Sequence, residues 1–181
     1  MNSDSYAKRV RMVVLDVDGV LTAGHIIFGQ DGEALKAFHC QDGMGISLAH
    51  KAGLKTAIIT GRDSEIVRRR GAELKIGDVC QGAMDKVTAL QALMAKHSLT
   101  LDQLAYVGDD INDLPVLVQV GLPCAVANAV PEVKAVAKYV AGRQGGQGGV
   151  REIIEYILKA QGVWDSLIAA YMQSGNFTIQ Q

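Results

Sequence analysis

Two aspartates one residue apart, Asp16 and Asp18, close an apolar run and are followed at once by Gly19. Side chains alternate along a strand with a period of two, so both carboxylates point to the same side, and Gly19 permits the sharp turn that follows. Carboxylates this close repel, and a hard divalent cation relieves the repulsion. Mg²⁺ suits the place, because it takes oxygen ligands and completes its shell with water and substrate phosphate. Asp109, within Gly108-Asp109-Asp110-Ile111-Asn112-Asp113, supplies a third oxygen ligand. Thr60-Gly61-Arg62 and Lys86 complete a constellation of four separated stretches.

Each piece alone has an ordinary reading. A strand-terminal Asp-x-Asp is often a turn or a cap, Thr-Gly-Arg a loop leading into a helix, Lys86 a surface lysine, and Gly-Asp-Asp a turn with an N-cap. Their order and placement change the weight. Each lies at or just past the end of a predicted strand, or, for Lys86, at a helix start. In a parallel sheet with crossover connections those strand ends share one rim, where ligands of open α/β folds bind.

The elements that must position these residues are legible as short apolar runs alternating with longer helical patterns, which predicts an α/β fold with a parallel sheet. Strands are expected over 12–17, 55–60, 78–81, 104–107 and 123–125, with a short edge at 139–140. Helices are expected over 45–52, 64–74, 84–97, 111–120, 131–136, 150–161 and 163–172. One stretch breaks the alternation: 25–28 and 34–38 read as two strands around the turn Gly29-Gln30-Asp31-Gly32. The resulting hairpin, about 24–39, carries Ile26, Ile27, Leu35 and Phe38, which need burial on the core or against another copy of the chain. Residues 145–149, four of them glycine, read as a flexible connector, and the tail 173–181 as weakly ordered.

Composition narrows the classes. The chain has 181 residues, a length that fits one domain (1–181) with a single core, since such cores run to about 100–200 residues. With 18 basic and 19 acidic side chains there is no broad positive field for nucleic acid, and Arg68-Arg69-Arg70 is too short to make one. No apolar run approaches the roughly 20 residues of a membrane span, and Met1 to Val10 has no separate apolar signal region, so a cytoplasmic location is expected. Cys40, Cys80 and Cys124 are an odd number, well separated, with no paired spacing that would suggest a zinc site or a disulfide framework.

The ordered set resembles the haloacid dehalogenase superfamily, whose motifs are Asp-x-Asp-Gly-x-(Leu/Val)-(Thr/Val), a strand-terminal Thr or Ser, a Lys, and Gly-Asp-Asp-x-x-Asp; the match covers about 10–140. The resemblance implies a three-layer Rossmann-like sheet with helices on both faces. It implies that Asp16 is the nucleophile and that Asp18 protonates the leaving alcohol, then serves as base for water. Thr60 and Gly61 would hold phosphate oxygens, and Lys86 would neutralise Asp16 and the transferring group. Mg²⁺ would lie between Asp16, Asp109 and the Asp18 carbonyl, with Asp110 and Asp113 orienting its waters. Asp at position 18 favours phosphatase or phosphomutase chemistry, since ATPase relatives usually have Thr there and dehalogenases lack this acid.

Only 41 residues (19 through 59) separate Asp18 from Thr60, and 25 (61 through 85) separate Thr60 from Lys86, so neither gap holds a full cap domain. Together with Phe38-His39-Cys40-Gln41-Asp42-Gly43-Met44-Gly45, the stretch Thr60 through Arg70, and the glycine-rich 145–151 before a final helix, this resembles the capless family of 3-deoxy-D-manno-octulosonate 8-phosphate phosphatases of lipopolysaccharide precursor synthesis. That family implies a homotetramer built on the hairpins, with active sites near subunit interfaces and the tail of one subunit near its neighbour's site. Asp42 would lie in a substrate-side loop, and Arg62 and Arg70 would bind the sugar-acid carboxylate. Related nonulosonate 9-phosphate phosphatases tend to have Glu in place of Arg62, and they are the competing reading; a noncatalytic assembly module is another. Gly149, where Ala is expected, and the atypical His39 and Cys40 are departures from the pattern.

Overall fold

The computed structural model of the chain describes residues 3–173. Its strands are β1 (Met12–Leu15), β2 (Ile27–Gly29), β3 (Gly32–Leu35), β4 (Lys55–Ile59), β5 (Asp78–Cys80), β6 (Leu104–Gly108), β7 (Leu122–Ala125) and β8 (Tyr139–Val140). The α-helices are α1 (Ser3–Ala7), α2 (Cys40–Lys51), α3 (Glu65–Glu73), α4 (Lys86–His97), α5 (Leu114–Leu117), α6 (Pro131–Val136), α7 (Gly149–Ala160) and α8 (Trp164–Gln173).

Six strands form one parallel sheet in the order β5-β4-β1-β6-β7-β8. The chain runs outward from β1 through β4 to β5, then returns to the other side of β1 with β6. That reversal puts the crevice of a doubly wound sheet at the carboxyl ends of β1 and β6, the place where such folds bind ligands. Leu15 pairs with Val107, and the Asp16 N–H donates to the Val107 carbonyl at 3.1 Å, so the ladder runs into the Asp16-Val17-Asp18 stretch.

Every residue of β1 is fully buried, as expected of a central strand covered on both faces. On one side, α2 packs on α7, which in turn meets α1 and α8; on the other, α4, α5 and α6 pack together. Helix α7 buries Val150, Ile153, Ile154, Ile157 and Leu158 completely, a stripe set by the helical repeat. Each such side chain contributes roughly 1.5–3 kcal/mol relative to exposure.

The expected elements are present, with instructive shifts. Helix α2 begins at Cys40 rather than at residue 45, because the Asp42 carboxylate accepts hydrogen bonds from the Gly148 and Arg151 N–H groups (3.2 and 2.8 Å) and is buried with the helix. The single helix expected over 111–120 is a 3₁₀ turn, Ile111–Asp113, followed by α5; Pro115, which has no N–H, sits in the first turn of α5. The hairpin strands β2 and β3 are antiparallel and sit slightly closer to the turn than expected. Its Ile26, Ile27, Phe28 and Leu35 are 41–67% exposed, while Phe38 packs on the core. No cap domain occurs among the described residues; β2, β3 and α2 occupy the first gap. Of the tail expected over 173–181, only Gln173, which ends α8, lies within the described residues.

Candidate active site

Asp16 follows the last residue of β1, and the chain then tightens: the Val17 carbonyl accepts from the N–H groups of Val20, Leu21 and Thr22 at 2.9–3.2 Å. Gly19 stands in this turn at φ +91°, and a Cβ there would lie 1.9 Å from Asp109 Oδ2. Only glycine therefore admits both the left-handed turn and the approach of the Asp109 carboxylate. Asp109 follows the end of β6 directly, and Lys86 opens α4, whose N-cap Asp85 accepts from the Val87 and Thr88 N–H groups.

These elements bring together Asp16, Asp109 and Asp113, whose carboxylates each place an oxygen within 4.8 Å of the others. The Lys86 ammonium lies between them, 3.1 Å from Asp16 Oδ2 and 2.7 Å from Asp113 Oδ1. Asp113 is fully committed. Its Oδ1 accepts from Lys86 and from the Tyr106 hydroxyl (2.7 Å each), and its Oδ2 accepts from the Asp109 and Asp110 N–H groups (3.0 and 3.4 Å). A carboxylate offers about four lone-pair positions, so Asp113 holds the frame and has none left for an ion. Asp16 Oδ1 and Asp109 Oδ1, by contrast, are buried and accept no hydrogen bond from the protein. Two orphaned carboxylate oxygens in an all-oxygen cluster are the donor chemistry that Mg²⁺ takes. Asp110 faces solvent and caps the turn that follows through the Ile111 N–H (2.7 Å).

The electrostatics are those of too much negative charge in too little water. Burial and the neighbouring Asp113 push the Asp16 carboxyl up to about 6 despite the pull of Lys86. Burial, with Asp113, Asp16 and Asp110 around it, pushes Asp109 to about 7. Burial alone would depress the Lys86 ammonium, but Asp16 and Asp113 more than offset it, and its pKa stands above the ordinary lysine value.

These shifts have a consequence for stability. Carboxyls with raised folded pKa bind protons more tightly folded than unfolded, so stability of the metal-free protein falls as pH rises from about 4 to about 7. A cation that binds the ionised pair reverses that loss. Saturating Mg²⁺ is expected to raise the Tm of EDTA-treated protein by about 5–10 °C at about pH 7.5, and by less than half as much at about pH 5, measured by scanning calorimetry. An equal gain at both pH values would show that the ion binds elsewhere.

Asp18 turns its carboxylate away from this cluster. Its Oδ1 accepts from the Lys36 ammonium, and Arg62 Nε stands 3.8 Å from its Oδ2. Lys36 follows β3; its side chain is 1% exposed, and it also pairs with Glu33 at 2.9 Å. The Glu33 carboxylate in turn accepts from the Ser64 hydroxyl, which caps α3. Thr60 is buried at the end of β4, and Gly61 follows it on the same rim. Arg70 sits in the last turn of α3. Its guanidinium bonds Glu73 (2.9 Å), lies 5.6 Å from the Phe38 ring centroid, and lines an open cleft of about 350 Å³ with Lys36, Phe38 and Arg69. Asp42 is corrected in position: it lies in the first turn of α2 rather than in a loop, 1% exposed, with both oxygens on backbone N–H groups and its pKa raised by burial.

Sequence reasoning missed Lys36, Tyr106 and Asn128. Period-two alternation places Lys36 opposite in sense to Leu35, and a tyrosine inside a buried strand needs a partner for its hydroxyl; both were available signals. Asn128, three residues past β7 on the same rim, had none.

The fold and this acidic site, built on the end of β1 and the loop after β6, define a class, and the sequence agrees: residues 64–154 match the model of the haloacid dehalogenase-like hydrolases, and the chain belongs to that family. Among curated relatives it is 45% identical over 159 residues to the 3-deoxy-D-manno-octulosonate 8-phosphate phosphatase KdsC of Escherichia coli K12, covering 88% of this chain and 85% of that one. Among solved structures it is similar to the 3-deoxy-D-manno-octulosonate 8-phosphate phosphatase of Moraxella catarrhalis in complex with magnesium, phosphate and KDO (41% identity, TM-score 0.91, covering 93% and 97% of the two chains). It is also similar to the cobalt-bound Haemophilus influenzae phosphatase (39%, TM-score 0.89, 93% and 99%).

Proposed function

We propose that this protein is a Mg²⁺-dependent phosphomonoesterase that hydrolyses 3-deoxy-D-manno-octulosonate 8-phosphate to the free sugar acid and phosphate, in lipopolysaccharide precursor synthesis. The observation that carries the chemistry is the pair of orphaned oxygens on Asp16 and Asp109 beside the Lys86 ammonium. The substrate rests on the similarity to phosphatases of that name over most of the chain.

An Asp16 carboxylate oxygen attacks phosphorus in line with the departing sugar oxygen, forming an aspartyl phosphate as the P–O bond to the sugar breaks. The Asp18 carboxyl gives its proton to that oxygen. Asp18, now a carboxylate, accepts a proton from a water that attacks the phosphorus, which releases phosphate and restores Asp16. Thr60 and the Gly61 N–H hold phosphate oxygens, and Lys86 stabilises the charge that builds on them. Asp16, Asp109 and the Asp18 carbonyl would hold Mg²⁺, with Asp110 beside its waters and Asp113, whose oxygens are taken by Lys86, Tyr106 and two backbone N–H groups, fixing the frame around it; the ion would supply positive charge between nucleophile and phosphate. Arg62 and Arg70 recognise the sugar-acid carboxylate. Asp42 serves the same reading indirectly, by ordering the start of α7.

The exposed hairpin residues Ile26, Ile27, Phe28 and Leu35 support a homotetramer in which this patch is covered by other copies and closes the capless site. The described residues are read as one phosphatase domain. A cytoplasmic location fits the supply of a soluble sugar phosphate, and among the described residues no helix is long and apolar enough to cross a membrane.

The direct test is a screen of sugar-acid phosphates with and without Mg²⁺. The expected result is a kcat/KM for the octulosonate 8-phosphate at least about tenfold above that for nonulosonate 9-phosphates, about 1.4 kcal/mol of transition-state discrimination. A tenfold preference the other way would reassign the substrate to a nine-carbon acid.

A further inference from the structure

Residues 145–149, which composition marks as a flexible connector, are packed against the turn that follows Asp16. Asn128 joins the two: its Nδ2 donates to the Gly19 carbonyl at 3.0 Å, and its Oδ1 accepts from the Gly145 N–H at 2.6 Å. Beside it the Gly146 N–H donates to the Val20 carbonyl at 2.9 Å. The approach is so close that a Cβ on Gly145 would lie 1.8 Å from the Gly19 oxygen. The glycines here serve contact rather than mobility.

The segment is itself anchored. The Ala127 N–H donates to the Arg143 carbonyl at 3.0 Å, and Asp42 holds the Gly148 and Arg151 N–H groups. The inner end of the Asp16–Thr22 turn is gathered on the Val17 carbonyl, and its outer end, at Gly19 and Val20, is held by Asn128 and Gly146.

We propose that Asn128 is a positioning residue for phosphoryl transfer: by bonding the Gly19 carbonyl and the Gly145 N–H together, it braces the turn that sets Asp16 and Asp18 against phosphate and metal. The inference rests on the roles given to those two aspartates above. Its physical basis is that displacements of about 1 Å in a phosphoryl-transfer site cost about 10²-fold in rate, and the peptide next to the one that Asn128 holds carries the Asp18 carbonyl.

Three variants of the full chain test it. Asn128→Ala removes both bonds. Asn128→Asp keeps an acceptor for the Gly145 N–H but sets an oxygen against the Gly19 oxygen. Gly145→Ala pushes the same carbonyl from the other side. All three are expected to lower kcat about tenfold or more with KM within about twofold of wild type. Asn128→Asp is expected to be at least as slow as Asn128→Ala, although it retains one of the two bonds. Isothermal titration calorimetry with Mg²⁺ alone, without substrate, is expected to show affinity about fivefold weaker in Asn128→Ala. Where Gly145→Ala fails to fold, the Asn128 variants decide. A kcat and a Mg²⁺ affinity both within about twofold of wild type in Asn128→Ala, whatever its Tm, would overturn the proposal. That failure is separate from failure of the nucleophile assignment, which would appear as turnover by Asp16→Asn.

Discussion

Asp16→Asn is expected to lower kcat at least about 10⁴-fold while leaving the metal-free protein no less stable than wild type. The substitution keeps the shape of the side chain, so β1 and its ladder to β6 are undisturbed. It removes the carboxylate proposed as nucleophile and one of the two orphaned oxygens proposed as metal ligands. A loss of that size, about 5.5 kcal/mol in barrier, exceeds what any single hydrogen bond at the site supplies. The stability arm follows from charge. Asp16 titrates near 6 because burial and Asp113 oppose its ionisation, so at about pH 7.5 its charge works against the metal-free fold. Lys86 keeps Asp113 as a partner at 2.7 Å in the variant. The Tm without Mg²⁺ is therefore expected to hold or rise, and the Mg²⁺-dependent gain to disappear. Steady-state turnover, with calorimetry in EDTA and in Mg²⁺, checks both arms; residual phosphate release above about one part in a hundred would remove Asp16 from the nucleophile's place.

Much of this site could be read in advance because its residues sit where local rules operate. The apolar run of β1 ends at Asp16, Gly19 announces the turn, and Gly108 through Asp113 carries its own turn chemistry. Parallel topology then requires those ends to meet. What could not be read depends on partners distant in the chain. The family resemblance placed Asp42 in a loop, yet it lies in the first turn of α2, buried by two N–H groups more than a hundred residues away. For Lys36, strand alternation offered a direction but no partner, and its burial against Asp18 depends on where the hairpin sits relative to the end of β1. Residues 145–149 show the limit of composition most plainly: glycine marks freedom in an isolated chain and close approach in a packed one.

Lys86→Met is expected to match Asp16→Asn in kind of kinetic loss, at about 10³-fold in kcat, and to oppose it in stability. The Lys86 side chain is 4% exposed and its two partners, Asp16 and Asp113, are 6% and 0% exposed. Methionine fills the space without charge and leaves two buried carboxylates facing each other. Breaking a buried pair by removing one partner costs about 3–5 kcal/mol, which for a chain of this length is a Tm loss of about 10 °C. The loss has a pH signature. Below about pH 6 Asp16 takes up its proton, the uncompensated charge falls, and the Tm deficit of the variant relative to wild type is expected to shrink. Calorimetry of both proteins in EDTA between about pH 5 and about pH 8 measures it. A deficit that stays constant across that range would mean that Lys86 contributes packing rather than charge, and the proposed electrostatic account of phosphoryl transfer at this site would lose its side-chain cation.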